Sequence, residues 1–318
     1  MPKTCSDAHR LVLHSPTMGT RWSVTCDAPP DTDTQALHQA LAAAVLQVDT
    51  QMSPWLPGSD LNRLNHAQPD TWLALPPEIL EVLTCGLDIC RLSQGAFDPA
   101  AGALVDAWGF GAARDTPDAR AIRAAAGAAR PPTYEALELD HATGRVRKHA
   151  PLQLDLCGIA KGYAVDRMAD VLRQRGMRHA LVALDGELRA LDCQADGQPW
   201  AVALENPETG RRSVRGVIEL QDLAVATSGD YRRYLEVGGA RLAHTMDTRR
   251  NAPVRNEVAS VTVLARQCMH ADAWATALLV AGPDEGLALA GRMGLEALWL
   301  LRRKGTLVAL GLGRFEKL

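Results

Sequence analysis

The chain lacks the excess of basic residues typical of proteins that bind nucleic acid. Its 318 residues carry 34 Lys and Arg against 37 Asp and Glu, a formal net charge of −3, and no dense Lys/Arg stripe is visible. It also lacks any run of about 18 consecutive apolar residues, the length that a bilayer-spanning helix needs. Both absences argue against nucleic acid as a partner and against a membrane span.

Paired cysteine motifs are missing as well. The seven cysteines are odd in number, scattered and without a C-x-x-C pair, so neither a disulfide framework nor a structural zinc site is predicted. The first 26 residues contain no apolar signal-peptide core and no lipobox. We therefore expect a cytoplasmic protein, or a periplasmic one if a leader has been removed.

What is present is an ordinary globular composition, 47% hydrophobic and 22% charged. Helical periodicity covers residues 34–52 and 162–176, whereas hairpin-like alternation recurs through most of the second half of the chain. Because strands outnumber helices and come in hairpin runs, we predict an α+β fold with mainly antiparallel sheets and packed helices. Residues 112–132 have weak core signals and are predicted to be a mobile insertion or a link between two subdomains.

The segment "CMHADAWATALLVAG" places Asp272 and Thr276 four residues apart, on one face of a predicted helix. One interpretation is structural: the acid complements the helix dipole in the first turn, and the threonine bonds back to the carbonyl of Asp272. The other is a site for a hard cation such as Mg²⁺, which prefers oxygen ligands. The spacing alone leaves both open.

In "DLCGIAKGYAVD" a strand passes through Gly158 and Gly162 into a helix that has Lys161 at its opening. Glycines allow a ligand to approach the backbone, and helix N-termini favour anions. The segment is not a P-loop, since there the lysine follows the second glycine. A tight turn with a solvated lysine is the structural alternative.

Two further segments carry candidate chemistry. "GAFDPAAGALVDAWGFG" holds Phe97, Trp108 and Phe110, which either form a ring-binding wall or belong to the core. In "HTMDTRRNAPV", His244 and Asp247 are either a base with its orienting or metal-binding acid, or part of an ordinary surface loop.

In this order, with "MGTRWSV", "MSPWLPGSDLNRLN" and "ATSGDYRRY", these motifs resemble the ApbE family, the FAD:protein FMN transferases, over nearly the whole chain. The resemblance implies a single catalytic domain over residues 1–318, or two subdomains, with a T-fold-related architecture. It implies an enzyme that uses Mg²⁺, cleaves FAD as its substrate, transfers FMN to a threonine or serine of an acceptor flavoprotein and releases AMP. An FAD diphosphatase and a non-catalytic FAD-binding protein are the alternatives.

The resemblance also assigns roles to individual residues. It implies catalytic roles for His244, Asp272 and Lys161, with His244 helping to deprotonate the acceptor hydroxyl. The metal is expected on the Asp272 and Thr276 side chains and the main-chain carbonyl of Gly158. The expected contacts to FAD are Met18, Trp55, Ala96, Phe97, Asp98, Asp155, Lys161 and Met246.

Three segments depart from the family pattern. In "DTRRNAP", Thr248, Arg250 and Asn251 replace the usual Pro, Thr and Gly, which predicts a differently shaped loop near His244. "LDGEL" has Asp185 where a glycine is usual. Cys157-Gly158 stands where Ser-Ala is frequent, a harmless change if only the Gly158 carbonyl binds metal.

Overall fold

The helices and strands are taken from a computed structural model, which describes residues 9–127, 131–207, 213–231, 234–237 and 240–317. The helices are α1 (Thr34–Met52), α2 (Asp60–His66), α3 (Pro77–Leu92), α4 (Gly102–Ala107), α5 (Ala119–Gly127), α6 (Thr133–Ala136), α7 (Ala160–Gln174) and α8 (Cys268–Met293), with short 3₁₀ helices at Pro99–Ala101 and Gly313–Lys317. The strands are β1 (His9–Thr17), β2 (Thr20–Ala28), β3 (Leu73–Ala74), β4 (Leu137–Asp140), β5 (Arg145–Lys148), β6 (Ala180–Leu184), β7 (Glu187–Leu191), β8 (Trp200–Glu205), β9 (Val214–Leu220), β10 (Ala224–Gly229), β11 (Tyr234–Val237), β12 (Ala240–Ala243), β13 (Met246–Asp247), β14 (Ala252–Pro253), β15 (Val258–Ala265), β16 (Glu296–Arg303) and β17 (Thr306–Leu312).

The central element is an eight-stranded sheet in the order β1-β2-β6-β7-β10-β15-β16-β17. Every neighbouring pair in it is antiparallel. The predicted α+β class with mainly antiparallel sheets is therefore confirmed. The β1 strand, which the sequence analysis did not identify, pairs with β2 along its whole length.

Each face of this sheet is covered by a different layer. Helices α7 and α8 pack on one face, on β6–β7 and β10–β15 respectively, and α1 packs on α7. On the other face the β8–β9 hairpin and the last 3₁₀ helix form a smaller core around Trp200, Leu220 and Phe315. Strand β16 accordingly alternates its buried side chains between the two cores, with Trp299 in the first and Leu300 in the second.

Local chemistry explains where several elements begin and end. Helix α1 starts where the Asp33 carboxylate accepts a hydrogen bond from the Ala36 N–H. The β16–β17 turn at Lys304-Gly305 uses two residues with positive φ, 49° and 78°. Such angles match the twist of a tight hairpin.

Helix α8 is interrupted at Gly282, whose φ is 77°, and at the following Pro283. Its first half carries Asp272 and Thr276 and is almost wholly buried. Within the described ranges no helix is both long enough and apolar enough to cross a membrane.

The segment 112–132 contains α5, none of whose residues is buried. Residues 128–130 lie outside the described residues. The lack of burial agrees with the weak core signals, whereas the mobility of the segment and the division into subdomains stay predictions.

Candidate active site

A cavity of about 1320 Å³ opens where the N-terminus of α7, the first half of α8 and the β6–β7 turn meet. The structure brings all the predicted site residues to its wall: Met18, Trp55, Ala96, Phe97, Asp98, Asp155, Gly158, Lys161, His244, Met246, Asp272 and Thr276. These residues come from the two halves of the chain, so it is the fold that assembles them.

Gly162 sets the distance between α7 and α8. Its N–H donates a 3.0 Å hydrogen bond to Oδ2 of the buried Asp272. A Cβ at position 162 would lie 2.4 Å from the carbonyl oxygen of Cys268, so any side chain there would force the helices apart. The missing side chain thus allows the α7 backbone to hold the Asp272 carboxylate.

Thr276 lies one turn further along α8, and its Oγ1 is 3.0 Å from Oγ of Ser228 on β10. A Cβ at position 158 would lie 3.1 Å from the same Thr276 oxygen, so the Gly158 backbone lies against this side chain. Asp272 lies beyond the first turn of α8 and Thr276 pairs across to β10, so the helix-end interpretation of this pair is wrong.

These groups fit a hard cation. The second oxygen of Asp272, Oδ1, has no hydrogen-bond donor among the described residues. It is accompanied by the Thr276 hydroxyl and the Gly158 main chain, and carboxylate, hydroxyl and carbonyl oxygens are the ligands that Mg²⁺ prefers.

Lys161, in the first turn of α7, is not a freely solvated lysine. Its Nζ lies 3.0 Å from both carboxylate oxygens of Glu187, a residue on β7 that is only 2% exposed. Although burial acts in the opposite direction, the carboxylates of Glu187, Asp272 and Asp185 raise the pKa of Lys161. The lysine is therefore a permanent cation at the cavity wall.

Negative charge is in excess around this ammonium. Asp185 Oδ2, in the β6–β7 turn, lies 3.6 Å from Lys161 Nζ, so that three carboxyl groups approach one cation. Burial, opposed by Lys161, raises the pKa of Glu187 to about 8 and that of Asp272 to about 6. A divalent cation would relieve this repulsion and favour the ionised carboxylates.

A second buried ion pair joins the same helix and strand further from the cavity. Asp166 of α7 bonds Arg189 of β7, and it also accepts the backbone N–H groups of Cys268 and Met269, each at 2.9 Å. It thereby caps the N-terminus of α8. Burial raises the pKa of Asp166 even though Arg189 opposes the shift.

The opposite side of the cavity offers flat apolar surface. Met18 lies at the tip of the β1–β2 hairpin with a φ of 45°, and Trp55 is 48% exposed. Phe97 and Phe110 both line the cavity, whereas Trp108 does not. The aromatic segment therefore supplies both wall and packing.

Asp98 is held in place within this wall. Its carboxylate accepts hydrogen bonds from the hydroxyls of Thr133 and Thr248, at 2.6 and 3.0 Å. Thr248 is one of the departures from the family pattern, and its hydrogen bond to Asp98 connects the loop 248–251 to the cavity wall. A further departure, Asn251, has a φ of 52°, a conformation that asparagine tolerates better than most residues other than glycine.

His244 packs edge-on against Phe110, with ring centroids 6.3 Å apart. Asp247 instead receives its hydrogen bonds from Arg249, from the backbone N–H and from the guanidinium. The prediction that Asp247 orients His244 is therefore wrong, and Asp247 shapes the loop.

Sequence reasoning missed Glu187 and Ser228. A signal for Glu187 was present in "GELRAL", where an acid and a base alternate on one side of an otherwise apolar strand. Two charges facing a core need partners, so they pointed to an ion pair with a neighbouring element. Ser228 had no comparable signal.

Known proteins resemble this chain over most of its length. A family model described as the ApbE family matches residues 18–299. The FAD:protein FMN transferase of Vibrio cholerae is 36% identical, over 93% of this chain and 88% of that protein, and that of Haemophilus influenzae is 33% identical over 97% and 91%. Among solved structures, the flavin transferase ApbE from Vibrio cholerae superimposes with a TM-score of 0.87 at 32% identity, covering 98% of this chain and 99% of that one. The apo flavinyl transferase ApbE of Pseudomonas stutzeri gives 0.85 at 34% identity, covering 98% and 96%.

Proposed function

The chain belongs to the ApbE family, and on that premise we propose that it is a Mg²⁺-dependent FAD:protein FMN transferase. It moves FMN from FAD to a threonine or serine hydroxyl of an acceptor flavoprotein and releases AMP. The observation that carries the proposal is the close contact of α7 and α8 at Gly162. That contact brings the Lys161 ammonium, the N-terminus of α7 and the oxygens of Asp272 and Thr276 to the wall of one cavity.

The side chains of Asp272 and Thr276 and the carbonyl of Gly158 would hold the Mg²⁺. A metal bound there would supply Lewis-acid chemistry, polarising diphosphate oxygens and offsetting the negative charge of the leaving AMP. Asp272 is suited to this role because the Gly162 N–H fixes one of its oxygens and leaves the other for the ion.

Lys161 and the N-terminus of α7 bind the diphosphate. Backbone N–H groups and the dipole at a helix N-terminus favour anions, and Lys161 adds a full positive charge. Glu187 orients the ammonium by accepting from it with both oxygens. Positioning of this kind provides most of the catalysis in phosphoryl transfer.

His244 serves as the base for the acceptor hydroxyl. The hydroxyl oxygen forms a bond to the phosphorus of the FMN half, the phosphoanhydride bond to AMP breaks, and the hydroxyl proton passes to His244 and then to solvent. Histidine suits this role because its ordinary pKa lies near neutrality.

The cavity is large enough for the whole substrate. Its volume of about 1320 Å³ exceeds the ~300–1,000 Å³ of pockets for drug-sized ligands. Trp55 and Phe97 offer faces for a planar ring, and Met18 covers it from the hairpin tip.

The test combines the protein with FAD, Mg²⁺ and an acceptor domain that carries the flavinylation threonine. We expect a covalently fluorescent acceptor and AMP in equal amounts, and no labelling of an acceptor in which valine replaces that threonine. Full-rate AMP release without acceptor would instead identify an FAD diphosphatase. Bound FAD that yields no AMP with any metal would identify a non-catalytic binding protein.

A further inference from the structure

A second group of metal-ligating side chains lies outside the cavity. His179, Asp192 and Cys193 each offer one ligand atom, and these atoms all lie within 4.8 Å of one another. His179 directly precedes β6, and the other two directly follow β7. The cluster thus sits at the open end of the β6–β7 hairpin, opposite the turn that carries Asp185.

We infer that this cluster is a binding site for a borderline-soft divalent transition metal, represented by Zn²⁺. Imidazole, thiolate and carboxylate are the donors that zinc takes. Hard Mg²⁺ avoids sulfur and prefers oxygen alone. The two sites therefore select different metals, Mg²⁺ in the cavity and Zn²⁺ at the open end of the hairpin.

The histidine is already tied to the turn that supplies the other two ligands. Its Nδ1–H donates a 2.7 Å hydrogen bond to the backbone carbonyl of Cys193. Metal-ligating histidines commonly donate one ring N–H to a carbonyl, which fixes the tautomer and leaves the other nitrogen with its lone pair.

The backbone beneath the ligands is also fixed. The Asp192 N–H donates to the carboxylate of Asp222 at 2.9 Å, and the carbonyl of His179 accepts from the Asp27 N–H at the same distance. All three ligand side chains are partly buried, so a metal would have to order little chain on binding.

The distances suit a zinc ion after a small adjustment. Zn–S and Zn–N bonds of about 2.3 and 2.1 Å in a tetrahedron place ligand atoms about 3.6 Å apart. The three ligand atoms, now within 4.8 Å of one another, would reach this spacing if side-chain rotation brought them about 1 Å closer. Water would then occupy the fourth position. Binding exchanges the Cys193 thiol proton for the metal, releasing one proton without a change in oxidation state.

A metal here would connect the two ends of the hairpin that presents Glu187 to Lys161. It would stabilise the fold through this hairpin without entering the cavity. This site could not be predicted from sequence spacing, because His179 and Cys193 are 14 residues apart and form none of the usual zinc motifs.

The test uses the untagged full chain, reduced, freed of metal and titrated with Co²⁺ as a spectroscopic probe for zinc. We expect about one equivalent to bind with a thiolate-to-cobalt charge-transfer band in the near-ultraviolet. We also expect Zn²⁺ to displace the Co²⁺ and to raise the Tm by a few degrees.

Cys193→Ser and His179→Ala should abolish the band and the Tm rise. Cys193→Ser should keep the wild-type Mg²⁺-supported rate, because Cys193 lies outside the cavity. Cys157→Ser, which removes a half-buried thiol on the cavity wall, is the matched control and should keep the band. The inference is overturned if the band survives in Cys193→Ser, disappears in Cys157→Ser, or never forms in the wild type.

Discussion

Two ion pairs with buried acids join α7 to β7, and they differ in what surrounds them. Asp166 and Arg189 balance one another, and the remaining capacity of Asp166 is taken up by the first amides of α8. Lys161 and Glu187 form a similar pair, but Asp185 and Asp272 add negative charge and the cavity adds access.

Burial of charge therefore does not by itself mark a functional site. Burial raises the pKa of the acid in both pairs. Only the pair near the cavity holds a surplus of negative charge that a ligand could neutralise, and such a surplus is what we expect of a ligand-binding cluster rather than a structural one.

The largest effect is expected from breaking the balanced pair. Asp166→Ala leaves Arg189 buried without a carboxylate and removes the cap of α8, so the free energy of unfolding should fall by about 3–5 kcal/mol. Urea denaturation followed by circular dichroism measures this loss. Asp166→Asn, which keeps an acceptor for the α8 amides, should lose less. A change within about 1 kcal/mol for the alanine variant would contradict the structural role.

Asp272 lies beside the Lys161–Glu187 pair, and Asp272→Ala should remove activity and leave the fold intact. On the proposal that Asp272 holds the metal, its loss removes several kcal/mol of transition-state stabilisation, and we expect the transfer rate to fall about 100-fold or more. The free energy of unfolding should change by no more than about 1 kcal/mol, because the substitution removes one carboxylate from a cluster that has more carboxylates than cations. Rates at increasing Mg²⁺, alongside a melting curve, test both points. An unfolded variant whose remaining folded fraction keeps the wild-type rate would show that Asp272 is structural.

The pairs should also respond differently to pH and metal. The pKa values of Glu187 and Asp272, about 8 and about 6, lie above their ordinary 4.5 and 3.8. Between those limits the folded state holds more protons than the unfolded state. The free energy of unfolding of metal-free protein should therefore fall as the pH rises from about 4 to about 8.

Mg²⁺ should reduce this decline because it favours the ionised carboxylates of the cavity, and Glu187→Gln should reduce it without metal. Denaturation at several pH values, with and without Mg²⁺, measures the slope. If neither Mg²⁺ nor Glu187→Gln changes the slope, the pH dependence of stability arises from other groups, Asp166 among them.

The smallest effect is expected at Asp185. Asp185→Gly restores the glycine usual in the family, relieves a φ of 55° and takes one carboxylate away from Lys161. Because Asp185 is about one-third exposed, its repulsion of a diphosphate is worth less than about 1 kcal/mol. We expect the KM for FAD to fall about threefold, with kcat little changed. A higher KM would mean that Asp185 helps to position Lys161.

The sequence predicted those parts of the molecule that depend on local chemistry. Periodicity located α1 and α7, and hairpin-like alternation indicated the antiparallel strands in the second half of the chain. The positions matched to the family by motif all reached the same cavity, although their roles stay predictions.

Pairings between distant segments could not be predicted in this way. The partners of Lys161 and Thr276 come from β7 and β10 and depend on the strand order of the main sheet. The interpretation of Asp247 as the acid that orients His244 was wrong for a similar reason, since the nearby Arg249 competes for the carboxylate. Spacing shows which residues can meet, but not which of several partners wins.

The absent side chain of Gly162 bears on which related sequences can keep an active site. A single nucleotide change would make this residue alanine, whose methyl group would meet the Cys268 carbonyl at about 2.4 Å. A duplicated copy of the gene could then lose the proposed metal site while keeping Asp272, Thr276 and Lys161. Screening genomes for active members should therefore examine position 162 together with the ligands themselves.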